Sequence, residues 1–391
     1  MDISQKAIQN LKLDKKKVFV RVDFNVPLKD GEVAEDQRIV RSFRTIDYIL
    51  DKGGMPILAS HFKRPAGTGY EADKSLKPVL RYLKDKYPGI LFSDSCIGDE
   101  AIRMSESMKD GDILLLENLR FYKGEEKNDP EFSQKLAGLA DVYVNDAFGS
   151  SHRAHASIYG ITQYIKEKAF GFLMQDEINN LSKLLSNPES PYVAVMGGAK
   201  LSSKLAVLEN LLKKVDKCLL GGGISYPFLK VQGFRIGQSL NEDETLDACR
   251  HYLELYGDRI VLPVDRWCGN TFENGTEKRL FKLNIPDDMI GMDIGPDTVE
   301  LFKNHIRRAE TIFLNGPMGV FEFENFSEGT VDIARATGDS GAFSVVGGGE
   351  SVQAIRLAGM EDCIDYVSTG GGASLEFLGG VVLPGVQAIM E

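Results

Sequence analysis

Short apolar runs recur along the chain, and each run ends in a glycine or polar cluster before a segment with helical spacing. This alternation is typical of βα units around a mainly parallel sheet, because strands covered on both faces contain few polar residues. In the first half the pattern predicts strands at Val18–Val22, Pro56–Ala59, Ile90–Phe92, Ile113–Leu116 and Val142–Asn145. Helices are predicted between them, for instance over Asp36–Lys52 and Lys77–Tyr87.

The second half repeats the same rhythm. It predicts strands at Tyr192–Met196, Lys217–Leu220, Arg259–Val264, Thr311–Leu314, Ala342–Val346 and Asp365–Val367. Both halves are therefore predicted to be doubly wound, Rossmann-like α/β domains with six-stranded-type parallel sheets, which we expect to face each other across a cleft.

A helix is predicted between the two halves. Residues 171–185 have apolar side chains at helical spacing, and Asn187-Pro188 closes the pattern. A length of 391 residues also favours two domains. We expect domains at residues 1–170 and 188–378, an interdomain helix at 171–187, and a tail at 379–391 that is apolar enough to pack back on the first domain.

Composition and charge narrow the function classes. The chain is 43% hydrophobic and 26% charged, which excludes wholesale disorder, and its net charge of −11 disfavours binding to nucleic acid. No apolar run has the length of a signal peptide or a membrane span, so we expect a cytoplasmic protein with no membrane contact. Five cysteines without a CxxC spacing make structural zinc improbable.

The predicted strand ends of the first half carry cations. Ligands of open α/β sheets bind beyond the carboxyl ends of the strands. These ends hold RVDFNVP, SHFKRP, ENLRF and FGSSHRAH, and Arg38 and Arg41 open the first helix. An arginine fork suits phosphate or carboxylate, which predicts an anion site, although surface arginines are commonly solvated or weakly paired.

The second half ends its strands with glycines instead, in MGGAKLSSK, GGGIS, NGPMGVFE, VGGGES and STGGGAS. Glycine loops at helix starts bring backbone amides close to a phosphate, although βα turns also use glycine for geometry alone. Lys200 and Lys204 are four residues apart, so we expect them to share one face of the helix after Gly198. Glu322 and Glu350 are candidates for holding a sugar hydroxyl and a magnesium ion.

From the residues alone, two other functions stay open. A dehydrogenase would need GxGxxG with an acid about twenty residues later, and neither this fingerprint nor GxxxxGK[ST] is present in place. A two-lobed anion-binding module would need no nucleotide loops, so nucleotide binding would distinguish it from an enzyme.

The motifs as an ordered set resemble the phosphoglycerate kinase family. RVDFNVP, SHFKRP, ENLRF, FGSSHRAH, GGAK, GPMGVFE and STGGGAS occur in the family's order and at its separations, from about residue 17 to the C-terminus. The resemblance implies a two-domain, usually monomeric glycolytic kinase that moves a phosphoryl group between 1,3-bisphosphoglycerate and Mg-ADP, with hinge closure of the domains.

The resemblance also implies the site residues. The 3-phosphoglycerate side corresponds to Asp23, Phe24, Asn25, Arg38, His61, Phe62, Lys63, Arg64, Arg120 and Arg153. The nucleotide side corresponds to Gly198, Lys200, Lys204, Gly291, Asn315, Glu322, Gly347, Gly348, Gly349, Glu350 and Ser351. The transferred group would meet Arg38, Lys204 and the amides of Gly370, Gly371 and Gly372.

Three motifs depart from the family pattern. Glu350 replaces the usual aspartate, the expected magnesium ligand that acts through the bound nucleotide, and its carboxylate lies one methylene further out. HFKR replaces the more usual HLGR and adds Lys63, and GGGIS replaces the commoner GGGMA near the expected purine pocket.

Overall fold

The computed structural model describes residues 2–391, which form two compact units. The first unit extends to Asn179 and also includes Val382–Glu391, and the second unit comprises Asn180–Val381.

The strands and helices follow the alternation seen in the sequence. The strands are β1 (Lys17–Val22), β2 (Leu28–Lys29), β3 (Glu32–Val33), β4 (Met55–Ala59), β5 (Leu91–Ser93), β6 (Leu114–Leu116), β7 (Val142–Asp146), β8 (Glu167–Phe170), β9 (Tyr192–Met196), β10 (Lys217–Leu220), β11 (Ile260–Val261), β12 (Arg266–Gly269), β13 (Arg279–Phe281), β14 (Ile290–Ile294), β15 (Thr311–Asn315), β16 (Phe343–Gly347) and β17 (Tyr366–Ser368). The helices are α1 (Gln37–Asp51), α2 (Lys77–Lys86), α3 (Asp99–Ser107), α4 (Lys123–Glu126), α5 (Pro130–Ala137), α6 (Phe172–Ser186), α7 (Leu205–Leu212), α8 (Ser225–Val231), α9 (Leu246–Tyr256), α10 (Pro296–Ile306), α11 (Glu328–Gly338), α12 (Gly349–Leu357), α13 (Gly372–Leu378) and α14 (Pro384–Met390).

A six-stranded parallel sheet forms the centre of the first unit, in the order β5-β6-β4-β1-β7-β8. In β1, Val20 lies opposite Leu58 of β4 and Val144 of β7, and all three side chains are fully buried. Because β1 is central and both of its faces are covered, its sequence is a nearly unbroken apolar run.

The second unit contains a second parallel sheet, in the order β11-β10-β9-β15-β16-β17. Here the strand order reverses between β9 and β15, where Val195 pairs with Leu314. The prediction of two doubly wound α/β halves with six-stranded parallel sheets is therefore confirmed.

Four features differ from the predicted pattern. The edge strand β8 of the first sheet and the short hairpin β2-β3 were not among the predicted strands. The strand predicted at Arg259–Val264 is only Ile260–Val261, because Pro263 lacks an N–H to continue a ladder. A three-stranded antiparallel sheet, β13-β12-β14, is an additional element of the second unit. Its strand β13 is largely exposed and has no clear apolar period, which is why the sequence did not predict it.

Helix α6 coincides closely with the helix predicted at residues 171–185, and the boundary between the units falls inside it, between Asn179 and Asn180. Asp146, at the end of β7, caps its start by accepting the N–H of Leu173 at 2.9 Å and that of Met174 at 3.4 Å. Burial raises the pKa of Asp146 to about 7.

The last helix, α14, packs within the first unit. Gly385 donates its N–H to Ser151 O at 2.9 Å, and Val386 and Ile389 are buried. Within residues 2–391, no helix combines the length and the apolar character needed to cross a bilayer.

Candidate functional sites at the carboxyl ends of the two sheets

Four adjacent strands of the first sheet, β6, β4, β1 and β7, end at the cation-bearing loops. Because carboxyl ends of parallel strands meet at one edge, these loops are neighbours. We call the following set the cationic site: Arg21, Asp23, Asn25, Arg38, His61, Lys63, Arg64, Arg120 and Arg153.

Arg38 lies in the first turn of α1 and is held by the loop after β1. Its Nη1 donates to Asp23 Oδ2 at 3.3 Å and to the carbonyl oxygen of Asn25 at 3.1 Å. The Arg38 side chain is still 35% exposed, whereas that of Asp23 is only 9% exposed. The buried carboxylate therefore orients a guanidinium that keeps donors available for a ligand.

Lys63 and Arg120 connect the loops after β4 and β6. The Lys63 N–H donates to Asn25 Oδ1 at 2.8 Å, and Arg120 Nη1 donates to Lys63 O at 3.1 Å. The Lys63 ammonium donates to Asp73 O at 2.8 Å, so this added cation is tied to its own loop. Arg120 also lies 3.2 Å from Glu126 Oε1.

Arg21 is buried beneath the loops. Its Nε donates to Ser157 Oγ at 2.8 Å, and its Nη2 lies 3.2 Å from His61 Nδ1. Ser157 Oγ in turn donates to the buried carboxylate of Glu125 at 2.6 Å. This chain of contacts fixes the ring of His61 against a guanidinium.

The arginines make the electrostatic potential of the cationic site positive, which is visible in the pKa values of its histidines. Burial, followed by the charges of Arg21 and Arg120, lowers the pKa of His61 well below its ordinary value. The same causes lower the pKa of His155 to about 3. Both imidazoles are therefore neutral at pH 7, and an anionic ligand would relieve the repulsion among the arginines.

Arg64 and Arg153 are exposed, and no carboxylate of residues 2–391 forms an ion pair with either one. Arg153 Nε donates only to the neighbouring His152 Nε2, at 3.1 Å. Cations without acidic partners at the rim of a positive pocket are available to bind an anion.

The two phenylalanines predicted for substrate binding have their rings in the core, since Phe24 and Phe62 are fully buried. Phe24 N–H donates to Ser60 Oγ at 2.9 Å, and Phe62 N–H donates to Asn118 Oδ1 at 3.1 Å. They anchor the loops from inside, so any contact with a ligand must come from their backbone.

In the second unit, Lys204 bridges the strands at which the sheet order reverses. Its Nζ donates to Gly197 O after β9 at 2.7 Å and to Asn315 Oδ1 at the end of β15 at 2.5 Å. Asn315 Nδ2 donates to Gly347 O at the end of β16, at 2.7 Å. Burial lowers the pKa of Lys204 to about 8, while the charge of Glu350 opposes the shift.

The expectation that Lys200 and Lys204 share a helix face is wrong. Helix α7 begins at Leu205, and Lys204 belongs to a short 3-10 turn, Ser202–Lys204. Lys200 lies in the preceding loop, exposed, because Gly197 and Gly198 carry the chain across the strand end before a helix can start. Gly198 adopts φ +103°, and a Cβ there would lie 3.3 Å from Lys204 Nζ.

The loop after β16 is closed by a serine and starts a helix. Gly316 N–H donates to Ser351 Oγ at 2.6 Å, and Gly348 adopts φ +92° just before α12. The first-turn amides of Gly349, Glu350 and Ser351 have no helical partner, so they can receive phosphate oxygens. We call the following set the glycine-loop site: Gly197, Gly198, Lys204, Asn315, Gly316 and Gly347–Ser351.

Glu350 fits a metal that arrives with a nucleotide. Its carboxylate is exposed in the first turn of α12, and its charge acts on Lys204. Residues 2–391 contain no group of three or more His, Cys, Asp or Glu side chains that could form a cage around an ion. Magnesium held mainly by phosphates and water needs only one or two carboxylates.

The loop after β17 places Gly370, Gly371 and Gly372 at the start of α13. Gly371 has φ +56° and ψ −119°, a conformation open essentially to glycine, and a Cβ there would meet no atom within 4 Å. Space, therefore, does not require glycine at this position, whereas the backbone conformation does.

Gly291 and Glu322 lie outside the contacts described so far. Gly291 is in β14, where a Cβ would come within 2.1 Å of the Tyr226 hydroxyl. Glu322 is exposed beside an aromatic pair, Phe272 and Phe323, whose ring centroids are 5.1 Å apart. Phe272 is 58% exposed, an unusual position for a phenylalanine.

Several supporting residues escaped the sequence analysis. Glu125 and Ser157 hold Arg21, but Glu125 lies in the run KGEEKND, which resembles a solvated surface helix. Asn118 joins the loops after β4 and β6 by accepting from Phe62 N–H and Arg120 N–H. The sequence ENLRF drew attention to its arginine, and nothing in its pattern indicated the role of its asparagine.

Comparison with known proteins shows the family of the chain. A family model described as phosphoglycerate kinase matches residues 8–381. A phosphoglycerate kinase from Thermosipho africanus is 49% identical over 98% of this chain and 97% of its own, and one from Rubrobacter xylanophilus is 48% identical over 100% and 99%.

Solved structures give the same result. The structure of phosphoglycerate kinase from Coxiella burnetii matches with a TM-score of 0.90 and 38% identity over 98% of each chain. That from Pyrococcus horikoshii OT3 matches with a TM-score of 0.85 and 32% identity, again over 98% of each chain. Because the family model spans residues 8–381 and relatives of 48–49% identity match over nearly the full length, the chain belongs to the phosphoglycerate kinase family.

Proposed function

We propose that this chain transfers a phosphoryl group reversibly between 1,3-bisphosphoglycerate and Mg-ADP, yielding 3-phosphoglycerate and ATP, with the acid bound at the cationic site and the nucleotide at the glycine-loop site. The observation that carries the proposal is the division of chemistry between the units. One strand edge collects arginines that include the partly exposed Arg38 and two that form no ion pair within residues 2–391, Arg64 and Arg153. The other edge collects glycine loops around Lys204.

In this proposal the acid is bound by guanidinium groups whose positions are set by hydrogen bonds within the site. Arg38, Arg64, Arg120 and Arg153 supply guanidinium donors for the phosphate and carboxylate groups, and His61 contributes a neutral ring. Asp23 and Asn25 orient Arg38 and Lys63. Both ends of a three-carbon phospho-acid are anionic, which matches a pocket whose field already lowers the pKa of its histidines.

The nucleotide is held by backbone and by one lysine. The amides of Gly349, Glu350 and Ser351 receive phosphate oxygens, while Lys204 approaches the transferred group from the strand edge. Gly198 and Gly347 allow close approach of the chain, and the exposed ring of Phe272 offers a surface for the base beside Glu322. Lys200 and Gly291 complete the expected nucleotide contacts.

The reaction needs no general base. A carboxylate acceptor is already ionised at neutral pH, so the protein has to align two anions and neutralise the charge on the equatorial oxygens. Arg38 of the cationic site neutralises this charge together with Lys204 and the amides of Gly371 and Gly372 in the second unit. Magnesium bound to the nucleotide beside Glu350 supplies further neutralisation of the phosphate charge.

Transfer in line requires that the two units approach each other while both ligands are bound. Closure also removes water, which would otherwise accept the phosphoryl group. In this proposal the protein works as a cytoplasmic monomer, and its partners are small molecules rather than nucleic acid or membrane.

A coupled assay for ATP formation from 1,3-bisphosphoglycerate and Mg-ADP tests the proposal. We expect ATP from the parent protein and at least a hundredfold lower turnover from Lys204→Met, because one charge-neutralising contact supplies about 3 kcal/mol of transition-state stabilisation. Lys213→Met is the matched control, since this exposed lysine just after α7 pairs only with Glu209. A parent protein that forms no ATP, or Lys204→Met with parental turnover, would contradict the assignment.

A further inference from the structure

A cavity with a volume of about 600 Å³ lies in the first unit, apart from the residues of the cationic site. It is bordered by the segment Gly67–Tyr70 and by the starts of α4 and α5. Small-molecule sites typically enclose about 300–1,000 Å³, so the space is large enough for a compact ligand.

Four aromatic side chains line this cavity. Tyr70 meets Phe121 edge-on, with ring centroids 5.5 Å apart, and Tyr122 lies 5.5 Å from Phe132. Tyr70 is 57% exposed, so its ring offers apolar surface that the fold does not cover. Such walls favour a planar aromatic ligand, which can stack or meet them edge-to-face.

The carboxylates of the lining are already engaged. Asp94 pairs with Lys77 at 2.8 Å, and Glu131 pairs with Lys135 at 2.7 Å. The other two serve the backbone. Asp129 Oδ1 accepts the Phe132 N–H at 2.8 Å, and Glu117 accepts the Leu76 N–H at 2.8 Å.

Two lysines of the lining are not engaged. Lys123 and Lys127 are exposed, and neither forms an ion pair with any carboxylate of residues 2–391. Among the charged side chains of the lining, the two that have no ion-pair or hydrogen-bond partner in the described part of the chain are therefore both cationic.

The cavity is separate from the cationic site, although they share a short stretch of chain. In the 3-10 turn Leu119–Phe121, Arg120 bonds to Lys63 O on the side of the cationic site, whereas Phe121 lines the cavity. A ligand in the cavity would therefore leave the arginines that bind the acid free.

We propose that this cavity binds a small planar aromatic carboxylate, with its ring against Tyr70 and Phe121 and its carboxylate between Lys123 and Lys127. The site goes beyond the proposed phosphoryl transfer, since it uses none of the residues assigned to that reaction.

Titration calorimetry with 2-naphthoate tests this proposal, with 2-naphthylmethylammonium as a probe of similar shape and opposite charge. We expect saturable 2-naphthoate binding in the presence of saturating 3-phosphoglycerate and ADP, and much weaker binding of the ammonium probe. The double variant Lys123→Ala/Lys127→Ala should weaken 2-naphthoate binding about tenfold, since each exposed charge contact is worth up to about fivefold in affinity.

The matched control is Lys84→Ala/Lys109→Ala, which removes two exposed lysines of the same unit that do not line the cavity and should leave the affinity unchanged. Tyr70→Ala, at an exposed position, should also weaken binding without unfolding the protein. The proposal is overturned if the parent shows no saturable binding, if the ammonium binds as tightly, if 3-phosphoglycerate or ADP displaces the probe, or if the lysine pair proves dispensable.

Discussion

At the scale of single residues, the cationic site combines charged arginines with histidines that are neutral at pH 7. Arg38 pairs with Asp23 and remains partly exposed for a ligand. The pKa values of the buried histidines His61 and His155 are lowered, because burial and the nearby charge of Arg21 make a further positive charge costly. The cationic site therefore binds through arginines whose charge does not vary over the physiological pH range.

Arg38→Ala should lower kcat at least a hundredfold while the fold survives, because the lost guanidinium contributes about 2.7–4 kcal/mol of transition-state stabilisation. Steady-state kinetics and circular dichroism measure the two effects. Arg81→Ala is the control, since Arg81 is an exposed arginine of the same unit that pairs with Glu32. A kcat within a few-fold of the parent would remove Arg38 from the mechanism.

The neutral histidines give a pH prediction. His155, with a pKa of about 3 in the folded protein, returns to its ordinary value near 6.5 on unfolding, and His61 is lowered in the same direction. The unfolded state then binds more protons, so the free energy of unfolding should fall as the pH drops from 6.5 towards 3. NMR titration of the imidazoles should show the His155 midpoint near pH 3 and the His61 midpoint well below its ordinary value, with the two rings assigned by His155→Gln and His61→Gln. Ordinary midpoints for both rings would refute the burial argument.

At the scale of elements, the strand ends and the helix starts carry the chemistry. β9, β15 and β16 are neighbours whose ends are joined by Lys204 and Asn315. Helix α12 begins directly after one of these strands, and α13 follows β17 after a glycine loop. The first N–H groups of each helix have no acceptor within that helix. Such amides from α12 and α13 therefore lie at the same edge of the sheet.

Gly371 and Gly359 form a matched pair for testing the loop before α13. Both have positive φ, +56° and +68°, and a Cβ added at either position would have no atom within 4 Å. Alanine at either position should cost about 1 kcal/mol or more of stability through backbone strain. Only Gly371→Ala should lower turnover, by at least tenfold, because Gly359 lies at the far end of α12; equal losses of turnover would leave Gly371 with a structural role alone.

How much the sequence could predict varies among elements. The buried parallel strands were predicted closely, since burial on both faces leaves an apolar run such as that of β9. The antiparallel strand β13 was missed because its largely exposed residues form no apolar period. Strand β12 was missed because it is short and its buried residues include a charged one, Arg266. The arginines were predicted from their position after strands, whereas Glu125 and Asn118 were not, because their burial depends on loops distant in sequence.

At the scale of the whole molecule, the last residues of the chain pack within the first unit. Ile389 is fully buried within that unit, whereas its neighbour Met390 is 38% exposed. The single tryptophan, Trp267, belongs to the second unit. Trp267 fluorescence therefore follows the second unit, whereas far-UV circular dichroism follows the helices and strands of both units.

Ile389→Ala should destabilise the first unit by about 2–5 kcal/mol through loss of buried surface and the cavity left behind. In urea unfolding, far-UV circular dichroism should gain an earlier transition, while the Trp267 fluorescence transition keeps its midpoint. Met390→Ala should change neither signal appreciably. An equal shift in both probes for Ile389→Ala would show that the tail does not act on the first unit alone.

Closure of the units can be followed by small-angle scattering. We expect a smaller radius of gyration with 3-phosphoglycerate and Mg-ATP together than with either ligand alone, because only the pair of ligands completes the reacting arrangement. A radius that is unchanged by the pair would count against closure as the step that assembles the site.

The amino-acid sequence by itself determined the class of fold, most strands of the two parallel sheets and the segregation of arginines and glycines between its halves, because burial and backbone freedom leave local patterns. Only the tertiary structure decided which strands are neighbours, that Lys204 reaches across to Asn315, and that Glu125 lies under Arg21. These contacts join residues 32 to 136 positions apart, and no local pattern records such a pairing.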